Sequence, residues 1–468
     1  MCGVFSIRSK KLNVAQATYF GLYALQHRGQ ESAGIAVSDG KRLKNVKNVG
    51  LVSQVFNKEI LEDLNGFIAI GHARYSTTGS SNLANAQPYV ASFHGEDVAI
   101  AHNGNLLNTD VLRQECASKG FKFVGTSDTE VIAALIEQSK KETLEEAIID
   151  MMHTVVGAYS LIFLYRDKMI AVRDPHGIRP LVVGTVEDGF VMASEDCAFS
   201  VVGGKMLREV MPGEIFIVDE KGTHSQMLLT ETERRGFCSF EYIYFARPDS
   251  VFNNKSLYSI RVKMGRNLYR ENPVEADAVI SVPDSGTPAA IGYSRESGIP
   301  FAEGLIKNRY IGRTFIQPDQ LLREVGVKLK LNPIVDAING KKIIIVDDSI
   351  VRGTTSKKIV KLLRDTGVKE VHFRVSSPRV MNPCFYGIDT ASKKELIAAN
   401  MSLDEIREEL DVDSIAYLSY EGLINAIHLP KEQLCLACFD GNYPVSVSDQ
   451  LKRSKHLFDD NGPRSSVG

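Results

Sequence analysis

The chain has 468 residues, of which 44% are hydrophobic and 24% charged, and its formal net charge is −2. This composition excludes a disordered or fibrous chain. The near balance of charge gives no bulk case for nucleic acid or an anionic membrane, so any anionic ligand must be held by a local site. No apolar run approaches the ~18 residues of a membrane span, and the start, MCGVFSIRSKK, lacks the apolar core of a signal peptide. The expected location is the cytoplasm. Seven cysteines, an odd and sparse number, do not make a disulfide scaffold.

Up to about residue 230 the chain reads mostly as strands. Short apolar runs at 34–37, 67–70, 98–101, 159–165, 169–172 and 214–218 are bounded by Gly, Asn, Asp and Pro. Helices are predicted at 107–117 and 128–138, the second opened by Thr126, Ser127 and Asp128 as capping candidates. After Arg235 the texture changes. Strand-like runs at 278–282, 342–346 and 371–375 alternate with helical ones at 288–297 and 355–365, the pattern of a mostly parallel sheet. Gly367 is placed just past the last of these helices as its closing residue. The polar stretch 230–236 divides the chain into units 2–232 and 233–455, with residues 456–468 a loose tail.

Cys2 follows the initiator Met, and so small a second residue permits Met removal. The α-amino group then exposed titrates at about 7.7–8.0, close to a thiol at about 8.5, so one residue can carry both nucleophile and base. Around it the sequence supplies an ammonium partner, a carboxylate partner and oxyanion donors. Gln26–Gly34 is polar and glycine-rich, Arg74 follows a strand, Asn103-Gly104 ends another, and Asp128 opens a helix. An amino-acid substrate needs these three functions together. The strings MCGVFSI, QHRGQESAGI, GHARYSTTG, HNGNL and GTSDTE resemble the glutaminase domain of class II glutamine amidotransferases, which are N-terminal-nucleophile hydrolases. The resemblance covers residues 2–230 and implies an αββα sandwich and a thioester between Cys2 and the glutamine side chain. It implies Arg74 on the glutamine carboxylate, Asp128 on its ammonium, and Asn103 with the Gly104 N–H as the oxyanion hole. Arg28 and Gly29 would shape the Cys2 pocket, and Thr77 would join the glutamine site.

Residues 343–356, IIIVDDSIVRGTTS, form a buried strand that ends in Asp347 and Asp348 and is followed by a Gly and hydroxyl loop opening a helix. A helix N-terminus with backbone donors suits a phosphate monoester, and two carboxylates beside it suit vicinal hydroxyls or Mg²⁺. There is no Walker A string and no dinucleotide glycine motif. The string resembles the phosphoribosyl pyrophosphate (PRPP) loop of type I phosphoribosyltransferases. That resemblance implies Asp347 and Asp348 on the ribose hydroxyls and Mg²⁺, and Thr354, Thr355 and Ser356 on the 5-phosphate, supported by Arg352 and Gly353. A second loop, 282–288, would offer Ser285, Gly286 and Thr287 to pyrophosphate, with Ser285 also reaching the metal. Residues 307–318 hold Lys307, Arg309, Tyr310, Arg313 and Phe315 and are read as a lid over the anionic substrate, sealing an ammonia passage between the sites.

Both halves together resemble the amidophosphoribosyltransferases. The implied reaction takes glutamine, PRPP and water to 5-phosphoribosylamine, glutamate and pyrophosphate, the committed step of purine synthesis. The family also implies a homotetramer and feedback by purine nucleotides. Two other readings stand beside it, another class II amidotransferase and a PRPP-sensing regulator. The first would share only the first half, and the second would not need Cys2 and its oxyanion residues. Cys435 and Cys438 have a chelating C-x-x-C spacing that by itself fits Zn, Fe–S or a redox pair. The strings around Cys238, Cys384, Cys435 and Cys438 resemble the subgroup with a [4Fe–4S] cluster, and family members without one keep buried thiols there. Cys116 and Cys197 read as core cysteines.

Overall fold

The computed structural model describes residues 1–75, 82–228, 234–308, 331–390 and 392–447. Thirteen strands build the first half: β1 Gly3–Arg8, β2 Ser32–Ser38, β3 Leu43–Val49, β4 Ile68–Arg74, β5 Tyr89–Phe93, β6 Glu96–Leu106, β7 Gly157–Tyr165, β8 Lys168–Arg173, β9 Val182–Val186, β10 Gly189–Ala193, β11 Lys205–Glu209, β12 Glu214–Asp219 and β13 Gly222–Met227. They make two antiparallel sheets, ordered β11-β9-β10-β1-β4-β2-β3 and β13-β12-β8-β7-β6-β5. Every residue of β2, β4 and β7 is buried. The reason is that each sheet is covered on both faces. Val4, Ile70, Ala99, Ala101, Ile162 and Leu164 fill the space between the sheets. Outside the second sheet, Val131, Ile132, Ile136 and Ile148 from the helices Asp128–Glu137 and Leu144–Thr154 pack on Ile100, Leu161 and Phe163. The helix Val14–Ala24 covers the first sheet over Phe5, Ile7 and Ile35. Each buried Val, Leu, Ile or Phe among these stabilises the fold by about 1.5–3 kcal/mol. The result is a four-layer αββα sandwich.

The second half is built on four parallel strands in the order Ala278–Ser281, Lys342–Asp347, Glu370–Val375 and Ser414–Tyr417. Within Lys342–Asp347 the side chains alternate. Ile344 and Val346 join the core of the helices Leu257–Glu271, Thr287–Ser297 and Tyr420–Ile427. Ile343 and Ile345 join Ile359, Val360 and Leu363 of the helix Thr354–Arg364 on the other face. Helices on both faces of a parallel sheet leave ligands the crevice at the strands' carboxyl ends. Among the described residues no helix is long and apolar enough to cross a membrane.

Two local expectations are sharpened. Residues 102–106 do end a strand. They are the last part of the eleven-residue β6, paired residue by residue with β7 from Val98↔Tyr165 to Leu106↔Gly157. The Asn-Gly dipeptide favours a turn locally, but the facing strand overrides it. Gly104 fits because an added Cβ would stand 2.0 Å from the Ala158 carbonyl oxygen. Gly367 does take a left-handed φ of +82°, but the helix already ends at Arg364, with Asp365 as its cap.

Candidate active site

Cys2 is buried and precedes β1, at the edge where β4 ends in Arg74. Its backbone N–H donates to Asn103 Oδ1 at 3.0 Å, so the first sheet and the second meet at this pair. The other end of that amide, Asn103 Nδ2, is buried and finds no hydrogen-bond partner among the described residues. An orphaned buried donor costs about 1–3 kcal/mol, so a group held in this state beside a thiol has the character of a site waiting for an acceptor. Gly104 faces Tyr159 across the sheet, and Tyr159 sends its own N–H and carbonyl to Asp174. The Gly104 peptide group therefore belongs to a non-hydrogen-bonded pair and turns away from β7.

Asp128 is the first residue of its helix, and Ser127 caps that helix by accepting from the Thr129 N–H. The Asp128 carboxylate accepts from the Leu106 N–H at 3.1 Å and lies 3.5 Å from His102 Nδ1. Burial works to raise its pKa, but His102 and these hydrogen bonds outweigh burial and lower it. It stays ionised at neutral pH. Arg74 is buried, 3.7 Å from Glu31. Gly29 lies against it, since a Cβ there would come within 2.4 Å of the Ala73 carbonyl. Arg28 is fully buried. Its Nε donates to the Cys2 carbonyl at 3.0 Å, and its other nitrogens reach Glu195 at 2.5 Å and Glu241 at 2.8 Å. Burial tends to raise the Glu195 pKa, but His27 and Arg28 hold the carboxyl below its usual range. Cys2, Arg28, Gly29, Arg74, Asn103, Gly104 and Asp128 thus lie around one another. Thr77 lies outside the described residues.

The second site is where Lys342–Asp347 ends. Asp347 and Asp348 are both buried, and the Asp348 N–H donates to Asp347 Oδ1 at 2.8 Å. Burial, and for Asp347 the neighbouring carboxylate, push the pair up from the ordinary range. The Ser285 side chain of the second loop lies near Asp348 and helps hold its pKa down against burial, while Ser349 Oγ donates to Asp348 Oδ1 at 2.5 Å. Gly286 lets the two loops close, because a Cβ there would meet the Val346 carbonyl at 2.5 Å. Thr287 opens its helix and shares a 3.0 Å hydroxyl contact with Ser281. Gly353 caps the helix Thr354–Arg364 at φ +79° with no side-chain cap, leaving the first N–H groups of Thr354, Thr355 and Ser356 to solvent or ligand. Arg352 is tied to Glu395 at 2.8 Å, so it supports the loop from outside. Lys307 pairs with Asp284 of the second loop at 2.7 Å. Arg309, Tyr310, Arg313 and Phe315 lie outside the described residues. A buried, mutually repelling pair of carboxylates with a hydroxyl at its side is a donor set that fits Mg²⁺.

The four cysteines of the second half converge. Cys238 and Cys435 are opposite one another in a short parallel pairing, and Met381 and Asn382 both donate their N–H to the Cys438 carbonyl, bringing the Cys384 segment alongside. All four are buried and none is in a disulfide. Burial pushes the Cys238 thiol up to about 11 and raises Cys435 and Cys438 as well. Arg179, fully buried, lies among Cys238, Cys384 and Cys435. No three His, Cys, Asp or Glu side chains among the described residues gather closely enough for one metal ion. Four buried thiols on converging segments are a donor set of the kind that fits a [4Fe–4S] cluster.

Sequence reasoning gave no role to His102, Arg179, Glu195 or Glu241. His102 stood inside a quoted motif, next to Asn103, and Glu241 lies three residues after Cys238. Glu195 and Arg179 act only across the fold, and nothing local marks them.

Comparison with known proteins decides the family. Residues 72–201 match a glutamine amidotransferase domain and residues 249–381 a phosphoribosyl transferase domain. An amidophosphoribosyltransferase of Synechocystis is 53% identical over 98% of this chain and 94% of its own length. The chain belongs to the amidophosphoribosyltransferase family. A relative from Methanocaldococcus jannaschii is 49% identical over 96% of this chain and 98% of its own. A solved glutamine PRPP amidotransferase from B. subtilis, complexed with ADP and GMP, superposes with a TM-score of 0.90 at 46% identity, covering 96% of this chain and 98% of that one. Glutamine and PRPP are the substrates of this family, and the chain is a glutamine-dependent transferase of purine biosynthesis.

Proposed function

We propose that a glutaminase unit, residues 2–232, makes ammonia at Cys2 and a phosphoribosyltransferase unit, residues 233–455, spends it on PRPP at the Asp347–Ser356 loop. The observation that carries this is Asn103: one end of its amide accepts from the Cys2 N–H while the other, Nδ2, is a buried donor with no partner among the described residues. With Met1 removed, the nitrogen held 3.0 Å from Asn103 becomes the free α-amine, positioned to take the thiol proton. The Cys2 sulfur bonds to the glutamine side-chain carbonyl carbon, and Asn103 Nδ2 and the Gly104 N–H hold the oxygen that becomes negative. The carbon–nitrogen bond breaks and ammonia leaves with the proton. Water then cleaves the thioester to glutamate. Arg74 holds the substrate carboxylate and Asp128 its ammonium.

At the second site ammonia bonds to C1 of the ribose as the C1–oxygen bond to pyrophosphate breaks. Thr354, Thr355 and Ser356 hold the 5-phosphate, Asp347 and Asp348 the ribose hydroxyls, and Ser285, Gly286 and Thr287 the pyrophosphate. Asp347, Asp348 and Ser285 would hold Mg²⁺, which when bound would supply charge neutralisation for the leaving pyrophosphate. Lys307, paired with Asp284 of the pyrophosphate loop, would meet the anionic substrate. Cys238, Cys384, Cys435 and Cys438 would carry a [4Fe–4S] cluster, a role supported by four buried thiols, none in a disulfide, on converging segments. Purine nucleotides are feedback inhibitors of a homotetramer, and the protein works in the cytoplasm. The regulatory part is supported by the solved relative complexed with ADP and GMP.

The test is pyrophosphate release from PRPP, driven either by glutamine or by ammonium salt. Cys2→Ala should abolish the first and keep the second, and Asp348→Ala should abolish both. Survival of the glutamine-driven reaction in Cys2→Ala would overturn the proposal.

A further inference from the structure

The end of β6 is held from outside its own sheet. Asn105 Nδ2 donates to the carbonyl of Phe385, 280 residues later, at 2.9 Å. Arg179 Nε donates to the next carbonyl, Tyr386, at 2.7 Å. The residue after that, Gly387, lies against Gly104 itself. A Cβ on Gly387 would stand 3.1 Å from the Gly104 oxygen and 3.2 Å from its carbonyl carbon, and Gly387 is left-handed at φ +104°. Two residues of one loop thus meet the strand that carries Asn103 and Gly104, and the residue between them is held by Arg179. The loop is itself fixed. The Cys384 N–H donates to Thr390 Oγ1 at 2.7 Å, and the Tyr386 hydroxyl bridges the carbonyl and N–H of Val445. One residue beyond Asn105, the Leu106 N–H holds the Asp128 carboxylate.

We propose that Asn105 and Gly387 are positioning residues: they clamp β6 to the 385–387 loop and so fix where the Gly104 N–H points, setting the glutaminase rate without touching glutamine. The inference rests on Asn103 and Gly104 being the oxyanion donors. The physical reason is geometric. A hydrogen-bond donor aimed at a developing oxyanion loses its effect with small displacements, and a misplacement of about 1 Å can cost ~10²-fold in rate. Without the clamp, nothing among the described residues on this side of Gly104 itself holds it between the His102 and Leu106 bonds, and the Gly104–Tyr159 pair contributes no ladder bond.

The test uses the full-length enzyme with glutamine or ammonia as nitrogen source. In Asn105→Ala and in the isosteric Asn105→Asp, which cannot donate to a carbonyl, glutamine-driven kcat falls by about 10- to 100-fold. The KM for glutamine and the ammonia-driven rate stay near the parent values. Gly387→Ala, a change on the other side of the contact, gives the same split. In all three, amide hydrogen exchange in the 103–107 peptide speeds up, a readout independent of turnover. Parent-like kcat and exchange in Asn105→Ala and Gly387→Ala would overturn the clamp, and so would an equal fall in the ammonia-driven rate, which would mark a general structural defect. Asn103→Ala run alongside separates the two ideas. Full glutaminase activity in Asn103→Ala would overturn the oxyanion assignment itself. A slow Asn103→Ala beside a parent-like Asn105→Ala would overturn only the clamp.

Discussion

Asn103→Ala separates catalysis from stability, because the two halves of the side chain act in opposite directions on the resting fold. Oδ1 accepts one hydrogen bond, from the Cys2 N–H at 3.0 Å, worth about 1 kcal/mol net. Nδ2 is buried with no partner among the described residues, a cost of about 1–3 kcal/mol that truncation removes. These terms oppose one another, so unfolding free energy should move by no more than about 1–2 kcal/mol. Catalysis should respond quite differently. Removing one oxyanion donor costs ~10²–10³ in kcat, or about 2.7–4 kcal/mol of transition-state stabilisation. The assay is glutamate release in the presence of PRPP, with ammonia-driven pyrophosphate release and thermal melting as controls. Asn103→Asp keeps an acceptor for the Cys2 nitrogen but has no donor, so it should be as slow as the alanine variant. Glutaminase activity near the parent rate in either variant would refute the reasoning. A large drop in melting temperature with loss of the ammonia-driven rate would do the same, because it would make the residue structural.

Other predictions follow from the buried charges. The Asp347–Asp348 pair is raised by burial and mutual repulsion, so its ionised form destabilises the empty fold as pH rises. Asp347→Asn should therefore melt a few degrees higher than the parent at pH 8 without Mg²⁺ while losing PRPP turnover, and a lower melting point would contradict the electrostatics. His72 is buried, bonded to the His102 carbonyl, and lowered by burial from 6.5 to about 3. The unfolded chain takes up a proton below pH 6.5 that the folded one refuses, so stability falls as pH drops from 6.5 towards 3, at up to about 1.4 kcal/mol per pH unit. His72→Gln should flatten the loss between pH 6 and 5, and an unchanged slope in urea melts would show that another group titrates. Protein purified without oxygen should contain iron and absorb visible light, and Cys238→Ser should lose both. Stoichiometric Zn without iron would rule the cluster out.

How much was legible beforehand depended on how far apart the cooperating residues lie in the chain. The segment 343–356 carries strand, acid pair and helix start in one string, so its place at the carboxyl edge of a parallel sheet could be inferred directly. The αββα sandwich came through resemblance, since the strand pattern alone gives antiparallel sheets but not their stacking. That 102–106 end a strand was legible, but not that the ladder runs through Asn-Gly to Leu106, which the facing β7 sets. The braces were invisible. Arg28 meets Glu241 and Asn105 meets Phe385 across more than 200 residues, and each pair looks ordinary until the fold joins it.

The most direct measurement is the intact mass of the enzyme quenched in acid during glutamine turnover, followed by peptide mapping. The account predicts a glutamyl thioester on Cys2 of a chain that has lost Met1, and no adduct in Cys2→Ala. An adduct on another cysteine, or none on Cys2 while glutamate is being released, would contradict it.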